Sequence, residues 1–419
     1  MHPVERRVSA LIAELMLDEP VLLLEGPRSV GKSTLLRHIA EATGASVFDL
    51  DDLATRDAVA ADPALFVSGA PPICIDEYQK VPLVLDAIKA ELNRSTTPGR
   101  FVIAGSTRYE TLPQAAQSLT GRLSRVAVRP FTQAEIDGVT NNFLDLLHRD
   151  ARSLISTERS TTPRDEYIRR IIRGGFPLAI ERETARARAR WFDDYLRLTL
   201  ERDARELAKL RQAAALPKLL TLLAARTAQL LNLAEIGESI DLAPATVESY
   251  TRILEAVFLT QRLEAWGTTL TARSGNKPKL HIVDSGIAAH LLRLSEERLA
   301  RRDPAALTEF GHLLETFVVG ELARQASWTE DVAGVGHWRT YDGDEVDFIA
   351  ERRNGTVVAI EVKASTRVSG GDFSALRRLR DRLGDTFTAG VTLYLGERSY
   401  TFEDRLHVMP VDKLWQSTE

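Results

Sequence analysis

A short stretch near the amino terminus, Gly26-Pro27-Arg28-Ser29-Val30-Gly31-Lys32-Ser33-Thr34, leaves the surrounding chain few choices of fold. It fits the pattern G-x-x-x-x-G-K-[ST] in full, with an apolar run (Val21 to Leu24) before it and a helical pattern (Lys32 to Ala42) after it. Glycines let the backbone turn tightly, so that successive N–H groups converge on a phosphate, and the following helix adds its positive end. Lys32 is predicted to reach the β- and γ-phosphates of a nucleotide, and Ser33 to ligate Mg²⁺. The expected nucleotide contacts are Gly26, Pro27, Arg28, Ser29, Val30, Gly31, Lys32, Ser33 and Thr34. ATP and ADP are the expected small-molecule partners, and Mg²⁺ the expected metal.

Such a loop needs a second acid to hold the metal. Ile73-Cys74-Ile75-Asp76-Glu77 supplies one at the carboxyl end of an apolar strand. Asp76 is expected to bind Mg²⁺ through water, and Glu77 to act as the base that polarises the attacking water. The strand Phe101 to Gly105 runs into Ser106, a polar group expected near the γ-phosphate. Farther on, Thr120-Gly121-Arg122-Leu123-Ser124-Arg125 is arginine-rich. Arg122 or Arg125 is the candidate to stabilise transition-state charge on a neighbouring subunit's nucleotide. A surface salt bridge is the equal alternative.

The spacing of apolar runs divides the chain into four parts. Residues 1–140 alternate apolar strands with helices, which predicts an α/β domain with a parallel sheet covered on both faces. Residues 141–215 read as a helical lid or linker. In residues 216–300, the helical stretches Leu233 to Ile240 and Ala245 to Leu259 flank a tight turn, the outline of a helix-turn-helix in a winged-helix-like domain. Arg273, Lys277 and Lys279 form a small basic cluster there, suited to touching phosphates from a wing or loop. Residues 301–419 predict a helix, three strands, a second helix and a further strand, with Asn354-Gly355 as a hairpin turn.

Composition excludes some classes. The net charge of −5 argues against a protein coated for nucleic acid, although only nine of the 54 basic residues are lysines. No apolar run approaches the roughly 18 residues needed to span a bilayer, and the first twenty residues lack a signal-peptide pattern. A cytoplasmic protein with no membrane association is expected. The single cysteine, Cys74, excludes an internal disulfide framework and reads as a core thiol.

The carboxyl-terminal part carries its own acidic constellation. Asp347 followed by Glu361-Val362-Lys363 repeats the D-…-(D/E)-x-K pattern of restriction-type nucleases. Glu361 and Lys363 are two apart and share one face of a strand. With Glu315 from the preceding helix, three acids (Glu315, Asp347, Glu361) form a candidate Mg²⁺ site, and Lys363 is the candidate to orient or deprotonate water. A nuclease-like fold that binds DNA without cutting it and a solvated salt-bridge network are the competing readings. His281 and His312 lack metal-site spacing and read as structural histidines.

Taken together, Gly26 to Thr34, Ile75-Asp76-Glu77, Ala104-Gly105-Ser106, Leu119 to Arg122, Arg129-Pro130-Phe131, Gly174 to Pro177, Pro278 to Gly286, Gly311 to Glu315 and Glu345 to Phe348 resemble a family of prokaryotic AAA-type P-loop ATPases. Its members join the ATPase module to a carboxyl-terminal domain of restriction-endonuclease-like, PD-(D/E)xK type. The resemblance covers nearly the whole chain. It implies ATP binding and hydrolysis, self-assembly as a homo-oligomer and a winged-helix element. The expectation that follows is ATP hydrolysis coupled to action on DNA. A nucleotide-gated metal-dependent nuclease and a nucleotide-dependent assembly switch are the alternatives.

Overall fold

The computed structural model describes residues 4–108, 119, 121–140, 142–204, 214–269, 277–301, 303–329 and 331–417. Five short strands open the chain: β1 (Val21–Glu25), β2 (Val47–Asp49), β3 (Ile73–Asp76), β4 (Phe101–Gly105) and β5 (Leu123–Ala127). They form one sheet in the order β2-β3-β4-β1-β5, and every pairing is parallel. Successive side chains on a strand point to opposite faces. Leu22, Leu24, Cys74, Val102 and Ala104 accordingly join one buried cluster, and Val21, Leu23, Ile73, Ile75, Phe101 and Ile103 the other. Burial pushes the Cys74 thiol up to about 11, as for an inert core thiol.

Strand β4 inserts between β1 and β3 although it follows both in sequence. The carboxyl ends of β1, β4 and β3 therefore lie side by side, where ligands of open α/β sheets bind. Strand β5 was not expected from the sequence. Its Leu-Ser-Arg-Val-Ala run has only Val126 fully buried, as suits an edge strand with one partner.

Among the described residues, helices then dominate as far as residue 256. The helix Ala185–Leu198 runs on into a wide π-type turn, Thr199–Asp203. The Leu233–Ile240 helix has its expected bounds, and the next runs over Pro244–Ala256 with proline in its first turn, where no N–H is needed. Three short antiparallel strands accompany them: β6 (Gln229–Leu230), β7 (Thr260–Leu263) and β8 (Lys279–Ile282), in the order β6-β8-β7.

The last part is a mixed six-stranded sheet: β9 (Val332–Arg339), β10 (Glu345–Arg352), β11 (Val357–Lys363), β12 (Phe387–Tyr394), β13 (Tyr400–Glu403) and β14 (Leu406–Pro410). Its order is β13-β14-β12-β11-β10-β9, with β11, β12 and β14 parallel to one another. The Pro304–Ser327 helix packs its Phe310, Leu314 and Phe317 on one face, and the Ser374–Leu383 helix its Leu376 and Leu379 on the other. The first helix begins seven residues before the expected Gly311. Asp303 starts it, its Oδ1 accepting from the Ala306 N–H at 2.9 Å.

Three separated sequence segments meet where the first sheet joins the helices. The Phe131 N–H donates to the Gly175 carbonyl at 2.8 Å, and the Gly175 N–H donates to Asp284 Oδ2 at 2.8 Å. Gly174 has φ +68°, and a Cβ there would lie 2.1 Å from Asp284 Oδ1, so this position excludes side chains on two counts.

His148, on the Phe143–Asp150 helix, is buried with neither ring nitrogen bonded to the protein. Burial, and then the charge of Arg352, push its pKa from 6.5 down to about 3. A depressed histidine favours the fold above its unfolded pKa, and that contribution is lost as pH falls through about 6.5 towards 3. His148→Leu is expected to flatten the acid side of the stability curve. Its melting temperature relative to wild type should rise steadily between pH 7 and pH 4, by an amount corresponding to at most about 4 kcal/mol. Parallel melting curves across that range would remove His148 as an acid-sensitive group.

Candidate functional site

The Gly26–Ser33 loop leaves β1 and enters the Lys32–Thr43 helix. Two of its residues hold left-handed backbone, Ser29 at φ 62° and Gly31 at φ 93°. These turns aim N–H groups inward at the helix amino end, the arrangement that binds anions. Gly26 packs directly under β5: a Cβ there would lie 1.9 Å from the Val128 carbonyl oxygen. Val30 is fully buried, and its carbonyl accepts from Arg6 Nη1 at 2.6 Å. Arg6 also reaches the Arg129 carbonyl at 2.7 Å and Glu135 Oε1 at 3.0 Å, bracing the loop from the amino-terminal segment.

Lys32 is buried, and its ammonium donates to the carbonyls of Gly26 (2.8 Å) and Pro27 (2.6 Å). Burial pushes its pKa down to about 8, against the opposing pull of Glu77 and Asp76. A cation destabilised by burial yet flanked by acids gains from an incoming anion. Asp76 ends β3, with its carboxylate accepting from the Glu77 N–H at 3.0 Å and with the Ser33 hydroxyl near enough to act on its pKa. Burial raises that pKa, and both groups oppose the rise. Ser33 and Asp76 thus place two hard oxygen donors together, a set that fits Mg²⁺.

Glu77 sits in left-handed backbone, φ 52° and ψ 42°, which is costly for a residue with a Cβ and recurs at functional sites. Its Oε2 accepts from Ser106 Oγ at 3.3 Å and from the Gln79 amide, which also reaches Ser106 Oγ at 3.2 Å. The ends of β3 and β4 therefore join through Glu77, Gln79 and Ser106. Gln79 went unnoticed in the sequence; its only signal is its place two residues after Glu77.

Arg28 makes its hydrogen bonds elsewhere. Its Nε and Nη2 donate to the two carboxylate oxygens of Asp203 at 2.6 and 2.9 Å. Asp203 lies in the π-type turn far along the chain, and no sequence pattern connects them. Thr34 faces a cavity of about 390 Å³ with Val4, Val30, His38, Phe131 and Pro177. A second cavity, about 380 Å³, opens beside Gly26 and Pro27 and is lined by Arg108, Arg125 and Arg129. Arg122 lies elsewhere. It precedes β5, at the amino edge of the sheet, and its Nη1 donates to Asn93 Oδ1 at 2.7 Å. Within one chain it is not brought to the loop.

In the last domain, Glu315, Asp347 and Glu361 do come close, but their expected role as a metal set does not fit what surrounds them. Lys279, 1% exposed, inserts its ammonium among the acids: 2.6 Å from Glu315 Oε1, 2.9 Å from Asp347 Oδ1, and in contact with Glu345. This also corrects the reading of Lys279 as a surface cation for phosphates; Arg273 of that cluster lies outside the described residues. Lys363 Nζ donates to Glu361 Oε1 at 2.7 Å, on the shared strand face. Burial and the Asp347 charge raise the Glu361 carboxyl to about 8. Burial and the same charge also raise Glu315, while for Lys279 burial pulls downward and the surrounding acids overcome it, lifting the ammonium above its usual range. Among the described residues, no group of acids, histidines or cysteine is arranged to hold a metal ion. His281 is fully buried, its Nδ1 3.2 Å from Thr316 Oγ1, and His312 Nδ1 lies 3.4 Å from Gln229 Nε2. No helix among the described residues is long and apolar enough to cross a membrane.

Comparison with known proteins divides along the same lines. Residues 18–137 match a family described as an AAA domain. Residues 164–298 and 310–414 match two families described only as domains of unknown function, DUF8612 and DUF4143. Uncharacterized proteins Rv2008c of Mycobacterium tuberculosis and Mb2031c of Mycobacterium bovis are each 29% identical over 416 residues, 98% of this chain and 85% of theirs. Among solved structures, a Walker-type ATPase of Pyrococcus abyssi is similar at 15% identity and a TM-score of 0.43, over 70% of this chain and 96% of its own. The Thermotoga maritima RuvB Holliday junction branch migration motor is similar at 18% and 0.30, over 62% and 90%. Likeness at that level adds no weight. The AAA-domain match and the loop at the end of β1 support one conclusion: the amino-terminal sheet is a P-loop domain of the AAA ATPase type.

Proposed function

We propose that this chain binds ATP with Mg²⁺ and hydrolyses it to ADP and phosphate. The observation that carries the reading is the meeting of three strand ends: Lys32 in its loop after β1, Asp76 beside Ser33 at the end of β3, and Glu77 bonded to Ser106 at the end of β4. Lys32 and the loop N–H groups hold the β- and γ-phosphates. Ser33 and Asp76 are the residues that hold Mg²⁺, which when bound draws negative charge from the phosphate oxygens. Glu77 orients a water and takes its proton as the water oxygen bonds to the γ-phosphorus and the bridge to the β-phosphate breaks. Ser106 and Gln79 fix the Glu77 carboxylate. The cavity between Val4, Thr34, His38, Phe131 and Pro177 receives the base, being mostly apolar and next to the helix start. Arg122, at the far edge of its own sheet, serves a neighbouring copy in a homo-oligomer.

The rear of the molecule supports a coarser proposal. Two helices with a three-stranded antiparallel sheet suit a winged-helix element, and the mixed sheet flanked by two helices suits a restriction-endonuclease-like domain. DNA is the target this architecture favours. The Glu248 and Glu255 carboxylates on the second helix are both bonded by Arg262, at 2.8 and 2.6 Å, which lessens their repulsion of phosphates.

Titration calorimetry with Mg-ATP and a phosphate-release assay test the reading together. Wild type is expected to take up ATP and turn it over. Lys32→Ala is expected to lose uptake and lower turnover at least about 100-fold, because the charge facing the transferred phosphoryl group is gone. Well-folded wild type that takes up no ATP would remove the proposal. Adding duplex DNA at low salt to the same assay tests the target: neither binding nor a change in turnover removes DNA.

A further inference from the structure

We infer that Lys279 is the resident cation of the carboxyl-terminal acid cluster, and that the cluster takes no divalent ion while β8 is docked against it. This goes beyond the nucleotide reading and does not depend on it.

The argument begins with where Lys279 comes from. It belongs to the three-stranded sheet of the middle region, whereas Glu315 lies on the Pro304–Ser327 helix and Glu345 and Asp347 on β10. The lysine therefore crosses from one part of the molecule into the acids of another. Its strand is held in register on that helix. His281, two residues along β8, lies 3.2 Å from Thr316, the residue after Glu315, and Thr316 Oγ1 lies 2.8 Å from Thr227 Oγ1. With 1% of its surface exposed, Lys279 is no swinging surface arm.

Position and charge then exclude a metal. A divalent ion needs several oxygens at about 2.0–2.6 Å. The ammonium already lies 2.6 Å from Glu315 and 2.9 Å from Asp347, in the space such an ion would need. The other Asp347 oxygen accepts from the Val362 N–H at 2.9 Å, and Glu361 Oε1 is taken by Lys363. Adding an ion beside Lys279 would set two cations within a few ångströms of each other in a buried site. The acids themselves remain suitable: Glu361 Oε2 is buried with no partner, and the β9–β10 register slips between Val346 and Ile349, the kind of bulge that re-aims a side chain such as Asp347. What excludes the ion is the lysine, so removing its ammonium opens the site.

Mn²⁺ binding to the full-length protein without nucleotide, counted by electron paramagnetic resonance, tests this. Any ion at Asp76 is common to all variants and cancels. Wild type and Asp347→Asn are expected to bind equal numbers of Mn²⁺. Lys279→Ala is expected to bind one more, and Lys279→Ala with Asp347→Asn to lose it again. One Mn²⁺ more in wild type than in Asp347→Asn overturns the inference, as does a folded Lys279→Ala that gains none. If Lys279→Ala fails to fold, the comparison of wild type with Asp347→Asn still decides.

Discussion

Replacing Glu77 with glutamine is expected to lower ATP turnover by about 10²–10⁴-fold while ATP uptake stays within a few-fold of wild type. The substitution keeps the side chain's shape and an oxygen able to accept from Ser106 and Gln79, but removes the group that takes a proton. The backbone argues for the same role. Glu77 is held at φ 52°, a conformation that costs about 1–2 kcal/mol for a residue with a Cβ. In that conformation the carboxylate meets Ser106 at the end of the adjacent strand. Phosphate release measured beside calorimetric uptake separates the outcomes. Equal loss of uptake and turnover would make Glu77 a binding residue, and unchanged turnover would remove it from the chemistry.

Gly26→Ala is the second large effect. The added Cβ would sit 1.9 Å from the Val128 oxygen and 3.0 Å from its carbon. Both are main-chain atoms, and Val128 is pinned by its N–H donating to the Glu25 carbonyl at 2.8 Å. No flexible side chain can yield, so the loop or the end of β5 must shift. A loss of about 3 kcal/mol in stability is expected, at the upper end for overpacking. ATP uptake should weaken by at least about 100-fold, because the same shift moves the carbonyl that holds Lys32. Gly44→Ala is the control. A Cβ there meets nothing within 4 Å, so only its left-handed backbone, φ 69°, is penalised, by about 1 kcal/mol, and uptake should be unchanged. Equal effects of the two substitutions would show that contact with Val128 is not what matters.

What could be read from the sequence follows a physical division. Interactions local in the chain were legible: β1, the loop and the helix after it, the Asp76-Glu77 strand end, and the Asn354-Gly355 hairpin between β10 and β11. Each rests on a pattern confined to a few residues. Strands β5 and β13 were missed because short strands with exposed or mixed faces carry a weak periodic signal, and β14 because its five buried residues, ending in proline, show no alternation. The contacts made by Arg6, Asp203 and Lys279 were not legible at all. Each depends on chain segments tens to hundreds of residues apart, and nothing in a lysine's neighbours along the chain says that three carboxylates await it. Lys279 shows the limit best: Arg273, Lys277 and Lys279 read as one basic cluster, yet Lys279 is buried among acids while Lys277 stays at the surface.

The Arg28–Asp203 pair has a consequence for the whole chain. One end of it belongs to the phosphate-wrapping loop, the other to a turn whose five-residue spacing is wider than that of the helix leading into it. A ligand that draws the guanidinium towards itself must outbid a two-pronged carboxylate, and the turn then loses its tether. Equilibrium makes the trade symmetrical: whatever favours one arrangement of that turn alters the loop's hold on its ligand by the same factor. Where a ligand makes that exchange, grip at the front and posture at the back become two readings of a single balance.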